Sequence, residues 1–148
     1  MKKSLFILMA VIGLFSCKKA PEAVSVPFEK VEHHFAIVDG PETRKITDQE
    51  TFDRMFSIGY TMGIQQEPLD FSKEFVIAVI NAVTDEETKL SPVSLVMENG
   101  TLVYTYSVEI GEKTSSISKP ILLIRVDKQY DASVQFIKIN RLFFITKQ

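Results

Sequence analysis

The sequence predicts an α+β domain that is mainly antiparallel β, built as a curved sheet or as two β layers with one covering helix. Three observations carry this prediction. Residues 74–83 and 121–126 are almost continuously apolar, which is typical of strands buried on both faces. An Asn99-Gly100 pair separates two patterned segments, as in a tight hairpin. Residues 46–56 form the one segment whose apolar residues have helical spacing.

The amino terminus has the pattern of an export signal. Two lysines follow Met1, and the next eleven residues after Ser4, from Leu5 to Phe15, are apolar or glycine. A helix of that length covers roughly half of a ~30 Å hydrocarbon core, so it is too short to span a membrane. A positive start followed by a short apolar run indicates a secretory signal peptide.

The signal ends in Leu14-Phe15-Ser16-Cys17, which resembles the bacterial lipoprotein signal known as the lipobox. The resemblance implies that residues 1–16 are removed and that Cys17 carries a diacylglyceryl group and an acylated amino terminus. Two or more acyl chains anchor a protein stably, because each buried methylene contributes about 0.8 kcal/mol. The alternatives are a small buried core cysteine after an ordinary signal and, less favoured, a catalytic thiol.

Removal of the signal leaves an acidic chain. Without Lys2 and Lys3, 15 basic and 19 acidic residues remain, so the net charge moves from −2 to −4. No basic stripe suits nucleic acid, and a single cysteine allows no internal disulfide. Residues 17–28, which contain two prolines, are interpreted as a tether, with an edge strand over 24–28 as the alternative. Residues 29–148 are interpreted as one globular domain.

The first part of the domain is predicted to be a strand, a turn and a helix. Residues 29–38 fit a strand that closes at Asp39-Gly40-Pro41. Thr47 and Glu50 fit a capping box at the start of the helix, which should end before Gly59. Three apolar residues share one helical face, which we interpret as a packing face, with a ligand groove as the alternative: Phe52, Met55 and Phe56.

Residues 59–69 are predicted to be a loop. Tyr60, Met62 and Ile64 are more apolar than a solvated loop requires. They either fold back on the core or form a contact surface for a partner. They are the candidate partner-binding residues.

The hairpin at Asn99-Gly100 has a predicted register. A two-residue type I′ turn pairs Glu98 with Thr101. It also places six apolar or aromatic residues on one face as three pairs: Met97 with Leu102, Leu95 with Tyr104, and Val93 with Tyr106.

Polar segments flank these strands. Asp85-Glu86-Glu87 is interpreted as a solvated turn, with a calcium site as the alternative, and residues 111–120 as a flexible loop. Residues 133–145 should form a closing strand. Its apolar residues change parity between Phe136 and Ile137, which predicts a bulge or bend over 136–139.

No catalytic motif is present in the sequence. His33 and His34 are the obvious metal candidates, but neighbours on a strand point to opposite faces. There is no Gly-x-Ser-x-Gly elbow and no glycine-rich phosphate loop. We therefore expect no catalytic residue, no metal site and no cofactor.

Residues 68–79, PLDFSKEFVIAV, resemble the C-terminal domain of the protease-complex subunit PrcB family. These are small lipoproteins that accompany secreted or surface proteases. The likeness covers roughly residues 45–137, and it includes the helix before this stretch and the strand that follows Pro120. Residues 90–95, LSPVSL, stand where the family has a Gly-Gly-Tyr stretch. The resemblance implies an accessory protein with no catalytic residues to transfer.

The residues in this stretch have structural interpretations. Asp70, at a junction between loop and strand, is expected to cap backbone N–H groups, and Phe71 to seal the core.

These observations predict a membrane-anchored, non-enzymatic lipoprotein module that assists, stabilises or inhibits a partner protein, with a protease suggested by the resemblance. The alternatives are a small-ligand or glycan-binding envelope protein and a hydrolase. The expected location is the bacterial cell envelope. A periplasm-facing position is favoured over the cell surface, because Lys18 and Lys19 are not the acidic signal that some bacteria use for outward sorting.

Overall fold

The computed structural model describes residues 22–59 and 67–142, with only the backbone of Leu142. One α-helix, α1, spans Gln49–Met55, and a short 3-10 helix spans Lys128–Tyr130. Ten strands, β1 to β10, are described: Val24–Ser25, Glu29–Lys30, His34–Ala36, Glu42–Ile46, Phe56–Ile58, Glu74–Ile80, Thr84–Glu98, Thr101–Ser118, Ile121–Asp127 and Ser133–Leu142.

The strands form two four-stranded sheets and a small ribbon. Sheet A has the order β1-β7-β8-β10, and sheet B has the order β2-β9-β6-β4. The ribbon pairs β3 with β5. All pairs are antiparallel except β8 with β10, which run parallel. The fold is therefore α+β and mainly antiparallel β, as the sequence predicts.

Residues 74–127 form one long hairpin that folds back on itself. Strands β6 and β9 pair in sheet B, and their continuations β7 and β8 pair in sheet A. The two segments that connect these strands, residues 81–83 and 119–120, cross from one sheet to the other side by side. We call this pair of segments the fold-over. The Asn81 N–H donates to the Pro120 carbonyl at 2.9 Å, which keeps the two segments paired.

The main core fills the space between the two sheets. Alternate residues of β6 and β9 face alternate residues of β7 and β8, because strand side chains point to opposite faces in turn. The largest fully buried members include Tyr104, Phe75 and Leu102. Phe28, Tyr106 and Phe136 have ring contacts with Tyr104 at centroid distances of 6.0–6.4 Å.

A second core lies on the other face of sheet B, under α1. Its buried members come from β4, β5, β6, β9 and the helix: Ile46, Phe52, Met55, Phe56, Val76, Ala78, Ile80 and Leu123. Residues 75–80 are therefore buried on both faces of the sheet, as their continuous apolar run predicts. Phe52, Met55 and Phe56 are a packing face.

The helix begins one residue later than a capping box with Thr47 as N-cap requires. Asp48, in an extended conformation, is the N-cap, and its carboxylate accepts from the Thr51 N–H at 2.8 Å. The Thr47–Glu50 box was therefore wrong. Aspartate competes well for this position, and its charge also favours the positive end of the helix.

The predicted first strand over 29–38 is two strands in different sheets. β2 pairs with β9 in sheet B, whereas β3 pairs with β5. His33 lies between them with φ of 60°, a left-handed conformation that breaks an extended chain.

Two segments predicted to be turn and loop are strand. Residues 84–87 belong to β7 and residues 111–118 to β8, so the hairpin continues well past its apolar part. The pairing is irregular, since Asp85 faces the longer stretch 114–117, and the Thr114 hydroxyl donates to the Asp85 carbonyl at 3.1 Å. These polar residues form strands because the backbone N–H and C=O groups of each segment find hydrogen-bond partners in the other segment.

The predicted register holds only near the turn. Asn99 and Gly100 have φ of 50° and 77°, as a type I′ turn requires, and the pairs from Glu98–Thr101 to Ser94–Thr105 follow it. Beyond them a bulge shifts the register, so Tyr106 pairs with Pro92. Val93 is 42% exposed, and its predicted place on the buried face was wrong.

Strand β10 has no bulge over 136–139. It pairs with β8 in unbroken parallel register from Ser133 to Leu142. The change of apolar parity has another cause. Phe136 packs on the main core, whereas Ile137 and Ile139 lie on the opposite face of the sheet with 40% and 38% exposure.

Part of the predicted tether is packed against the domain. β1 pairs with β7 at the edge of sheet A, so the edge-strand alternative over 24–28 is confirmed only for Val24 and Ser25. Val26 is 2% exposed in the main core, and its N–H donates to the Leu95 carbonyl at 2.9 Å.

Val26→Ala should lower the free energy of unfolding by about 2 kcal/mol, because two buried methyl-sized groups are lost and a cavity remains. Urea denaturation of the purified protein measures the change. Val24→Ala is the matched control, since Val24 is 52% exposed, and it should change stability little. Equal effects of the two substitutions would contradict the packing of this segment.

Candidate functional site

We call the side of sheet A that is turned away from sheet B the outer face. Register places four rows of side chains on it, each from β7, β8 and β10 in turn: Val96, Val103, Gln135; Ser94, Thr105, Ile137; Ser91, Ser107, Ile139; and Lys89, Glu109, Arg141. Neither core cluster includes any of these twelve residues. The outer face is therefore a separate surface.

The outer face changes chemically along its length. Near the Asn99-Gly100 turn it carries valine and isoleucine among small hydroxyl residues. Its far row is charged, and Arg141 lies 3.6 Å from Glu109. A surface of β-branched and hydroxyl side chains offers apolar contact with few charges to desolvate.

Ser107 is the most enclosed residue of the outer face. Its side chain is fully buried, and its hydroxyl has no hydrogen-bond partner in the described structure. A buried hydroxyl without a partner costs free energy. Its neighbours across the strands are Ser91 and Ile139.

Strand β10 is one edge of sheet A. Within the described residues it pairs only with β8, so the backbone N–H and C=O groups on the other side of this ten-residue strand have no strand partner there. It contains no proline and no bulge. The free part of the opposite edge strand, β7, has register shifts and Pro92, features that limit pairing with another chain.

A charged cluster surrounds Arg125 on the helix side of sheet B. Its guanidinium donates to Glu29 at 2.5 and 2.8 Å and to Glu67 at 2.7 Å, and it lies 4.0 Å from Glu74. Hydrogen bonds to Glu67 and Glu29 raise the pKa of Arg125 further. The cluster joins β2, β6, β9 and the segment that begins at Glu67.

A cleft of about 480 Å³ opens beside this cluster and is lined by Phe28, Glu29, Lys73 and Arg125, among others. The carboxylates here already hold the arginine. We therefore interpret the cluster as a structural link between sheet B and the segment that begins at Glu67.

The predicted contact residues Tyr60, Met62 and Ile64 lie outside the described residues. The described chain stops at Gly59 and resumes at Glu67. A cleft of about 270 Å³ lies between these ends and α1, lined by His34, Phe52, Ile58 and Glu67, among others. Ile58 is 55% exposed, so apolar surface does reach the start of this segment.

Asp70 and Phe71 occupy the junction at which β6 begins. The Asp70 carboxylate accepts from the Ser72 N–H at 3.0 Å and from its hydroxyl at 2.5 Å, and Lys73 lies 3.1 Å away. The Asp70 N–H donates to the Glu74 carboxylate at 2.8 Å. Phe71 packs on the second core against Phe52, with ring centroids 5.9 Å apart.

Of the two adjacent histidines, His34 contacts the chain just before it and helix α1. The Nδ1 of His34 lies 2.8 Å from the Glu32 carbonyl, and its ring meets that of Phe52 at 5.2 Å. Within residues 22–59 and 67–142, no three His, Cys, Asp or Glu side chains are grouped to hold a metal ion. In the same ranges no helix is long and apolar enough to cross a membrane.

Comparison with protein-family models, with curated proteins and with solved structures found no match. Function must therefore be argued from the surfaces described above.

Sequence reasoning missed two features of these surfaces. The alternation of Gln135, Ile137 and Ile139 was the available signal for an outward-facing row on β10, but the change of parity was interpreted as a bulge. The Arg125 cluster has no local signal, because Glu29 and Glu67 are far from Arg125 along the chain.

The Asp70 junction predicts a specific acid dependence of stability. Hydrogen bonds from the Ser72 and Lys73 side chains lower the pKa of Asp70 from 3.8 to about 2. A lowered folded-state pKa stabilises the fold above pH 3.8, and this contribution is lost as the pH falls towards 2. Asp70→Asn should therefore be less stable than wild type at neutral pH and equal to it near pH 2.

Denaturant midpoints at several pH values measure this effect. Ser72→Ala is the companion variant, because it removes one donor and keeps the carboxylate, so it should give an intermediate profile. A constant difference between Asp70→Asn and wild type at every pH would show that the charge is not responsible.

Proposed function

We propose that this protein is a lipid-anchored, non-enzymatic binding module of the bacterial cell envelope that assists, stabilises or inhibits a partner protein. The observation that carries this proposal is the edge of β10, which has no strand partner among the described residues and lies beside the partly apolar outer face. The lipid anchor is inferred from the lipobox-like end of the signal at Cys17. A protease is the proposed class of partner, on the strength of the PrcB-like stretch over residues 68–79.

The edge of β10 favours a partner that presents an extended segment. A segment added to a sheet edge forms backbone hydrogen bonds along its length, and neighbouring side chains provide selectivity. Ile137 and Ile139 lie on β10 itself, so an added strand would pack its side chains beside them. Lys138, on the same strand, has no ion-pair partner in the described part of the chain and would complement an acidic side chain on that segment.

Self-association is a less suitable use of this edge. Two copies of β10 paired antiparallel about Lys138 would bring their two lysines together, and like charges oppose pairing. The small-ligand alternative receives less support, because the described clefts have charged residues in their walls. Ligand sites are usually enclosed and mostly apolar.

A photo-crosslinking residue at position 137 should capture a discrete partner protein in envelopes of the native organism. The same residue at position 117 is the matched control, because Ile117 is 76% exposed and lies outside the outer face. Mass spectrometry of the products identifies the captured protein. Equal capture at both positions, or no discrete product at 137, would refute the β10 surface.

The Ile137→Asp/Ile139→Asp variant should lose most of its partner in co-purification from detergent-solubilised envelopes, while Ile117→Asp keeps it. Ile137, Ile139 and Ile117 are all partly exposed, so neither the double variant nor the control should unfold. Circular dichroism checks this. Retention of the partner by the double variant would place the contact elsewhere.

The proposed anchor predicts a modified amino terminus. Mass spectrometry of the native protein should find a lipid-bearing peptide that begins at Cys17 in the membrane fraction. Cys17→Ala should abolish the modification and change the fractionation. An unmodified, soluble wild-type protein would remove the anchor from the proposal.

A further inference from the structure

We propose that the end of sheet A that carries Asn99, Gly100 and Ser133, here called the turn end, faces the lipid bilayer, and that the fold-over faces away. This inference rests on the proposed lipid attachment at Cys17. It adds an orientation, because it states which end of the domain the membrane meets.

The direction of β1 fixes where the chain enters the domain. Val24 pairs with Met97 and Ser25 with Val96, in antiparallel register. The chain therefore enters β1 from the side of Glu98 and the turn. Val26 is buried immediately after the pair, and its N–H is bonded to Leu95. The entry point is thus held at the turn end.

The length of the intervening chain keeps that entry point close to the bilayer. Six residues lie between Cys17 and Val24, and the seven Cα–Cα steps from Cys17 to Val24 reach at most about 25 Å when fully extended. From Glu98 back to Thr84, β7 extends roughly 45 Å at the usual strand rise. The linker is therefore too short for the fold-over to lie nearer the bilayer than the turn end does, unless the domain lies flat on the membrane.

The chemistry of the outer face opposes a flat orientation. Surfaces that lie on membranes combine bulky apolar side chains with a basic rim. None of the twelve outer-face residues is aromatic, and Glu109 accompanies Lys89 and Arg141. At the turn end Asp131 is paired with Lys45, and Glu98 lies beside the turn. That end is polar, so we expect proximity to the headgroups without insertion.

This orientation would keep β10 accessible. The strand runs away from the bilayer from Ser133 to Leu142, so a partner in the same membrane can approach its free edge from the side.

Tryptophan fluorescence can test the orientation, because the chain contains no tryptophan. Ser133→Trp marks the turn end, and Ile117→Trp marks the region of the fold-over. Both positions are exposed, so both variants should fold. The lipidated full-length products are reconstituted into phosphatidylcholine vesicles with and without a dansyl-headgroup lipid. Ser133→Trp should lose several-fold more of its emission to dansyl than Ile117→Trp.

Equal losses, or a greater loss for Ile117→Trp, would overturn the orientation. Flotation of wild type with the vesicles first separates this result from failure of the anchor. If wild type does not float, lipid attachment fails, and Cys17 is then coupled to a maleimide-headgroup lipid for the same measurement. The greater loss at Ser133→Trp under that coupling would support the orientation, and its absence would overturn it.

Discussion

The folding of one long hairpin onto itself is the constraint on which the rest of this structure depends. Within residues 74–127, the two halves of the hairpin pair with each other from Glu74 and Asp127, through the fold-over, to the Asn99-Gly100 turn. Because the pair bends at the fold-over, the apolar face of its first half meets that of its second half. The hydrophobic effect and the backbone ladder therefore act on the same residues, and burial in the main core also holds the register.

The remaining elements attach to surfaces that the folded hairpin provides. Strand β4 adds to the edge of sheet B beside β6, helix α1 covers the second face of that sheet, and β10 adds to sheet A in parallel to β8. Lys45 links the two additions, since its ammonium binds Asp131 and the Ala132 carbonyl just before β10. The core accepts one unfavourable group, the buried Tyr104 hydroxyl, which has no partner in the described structure. Burial, with a smaller effect from Tyr106, raises the pKa of Tyr104, so it stays neutral.

Local signals predicted much of the fold, and non-local pairing decided the rest. The Asn99-Gly100 turn and the apolar run over 74–83 act within a few residues, so their patterns sufficed. Residues 111–118 look like a loop and are strand only because residues 84–89 lie opposite. The exposure of Ile137 and Ile139 depends on β10 being a parallel edge strand, a placement that no short pattern encodes. The candidate surface was missed for that reason, while Tyr60, Met62 and Ile64 lie outside the described residues.

The two edges of sheet A are unequal, and this inequality relates the anchor to the proposed binding surface. At one edge, β1 occupies the end of β7 nearest the turn, and bulges and Pro92 interrupt the remainder. At the other edge, β10 is regular for ten residues, with Lys138 and Arg141 as its cations. Natural sheets usually disrupt exposed edges to prevent pairing with other chains. Lys138, which has no ion-pair partner among the described residues, is the charge on this edge that would oppose self-pairing and complement an acidic strand. The described chain enters sheet A through β1, so that entry and the β10 edge lie on opposite sides of the sheet.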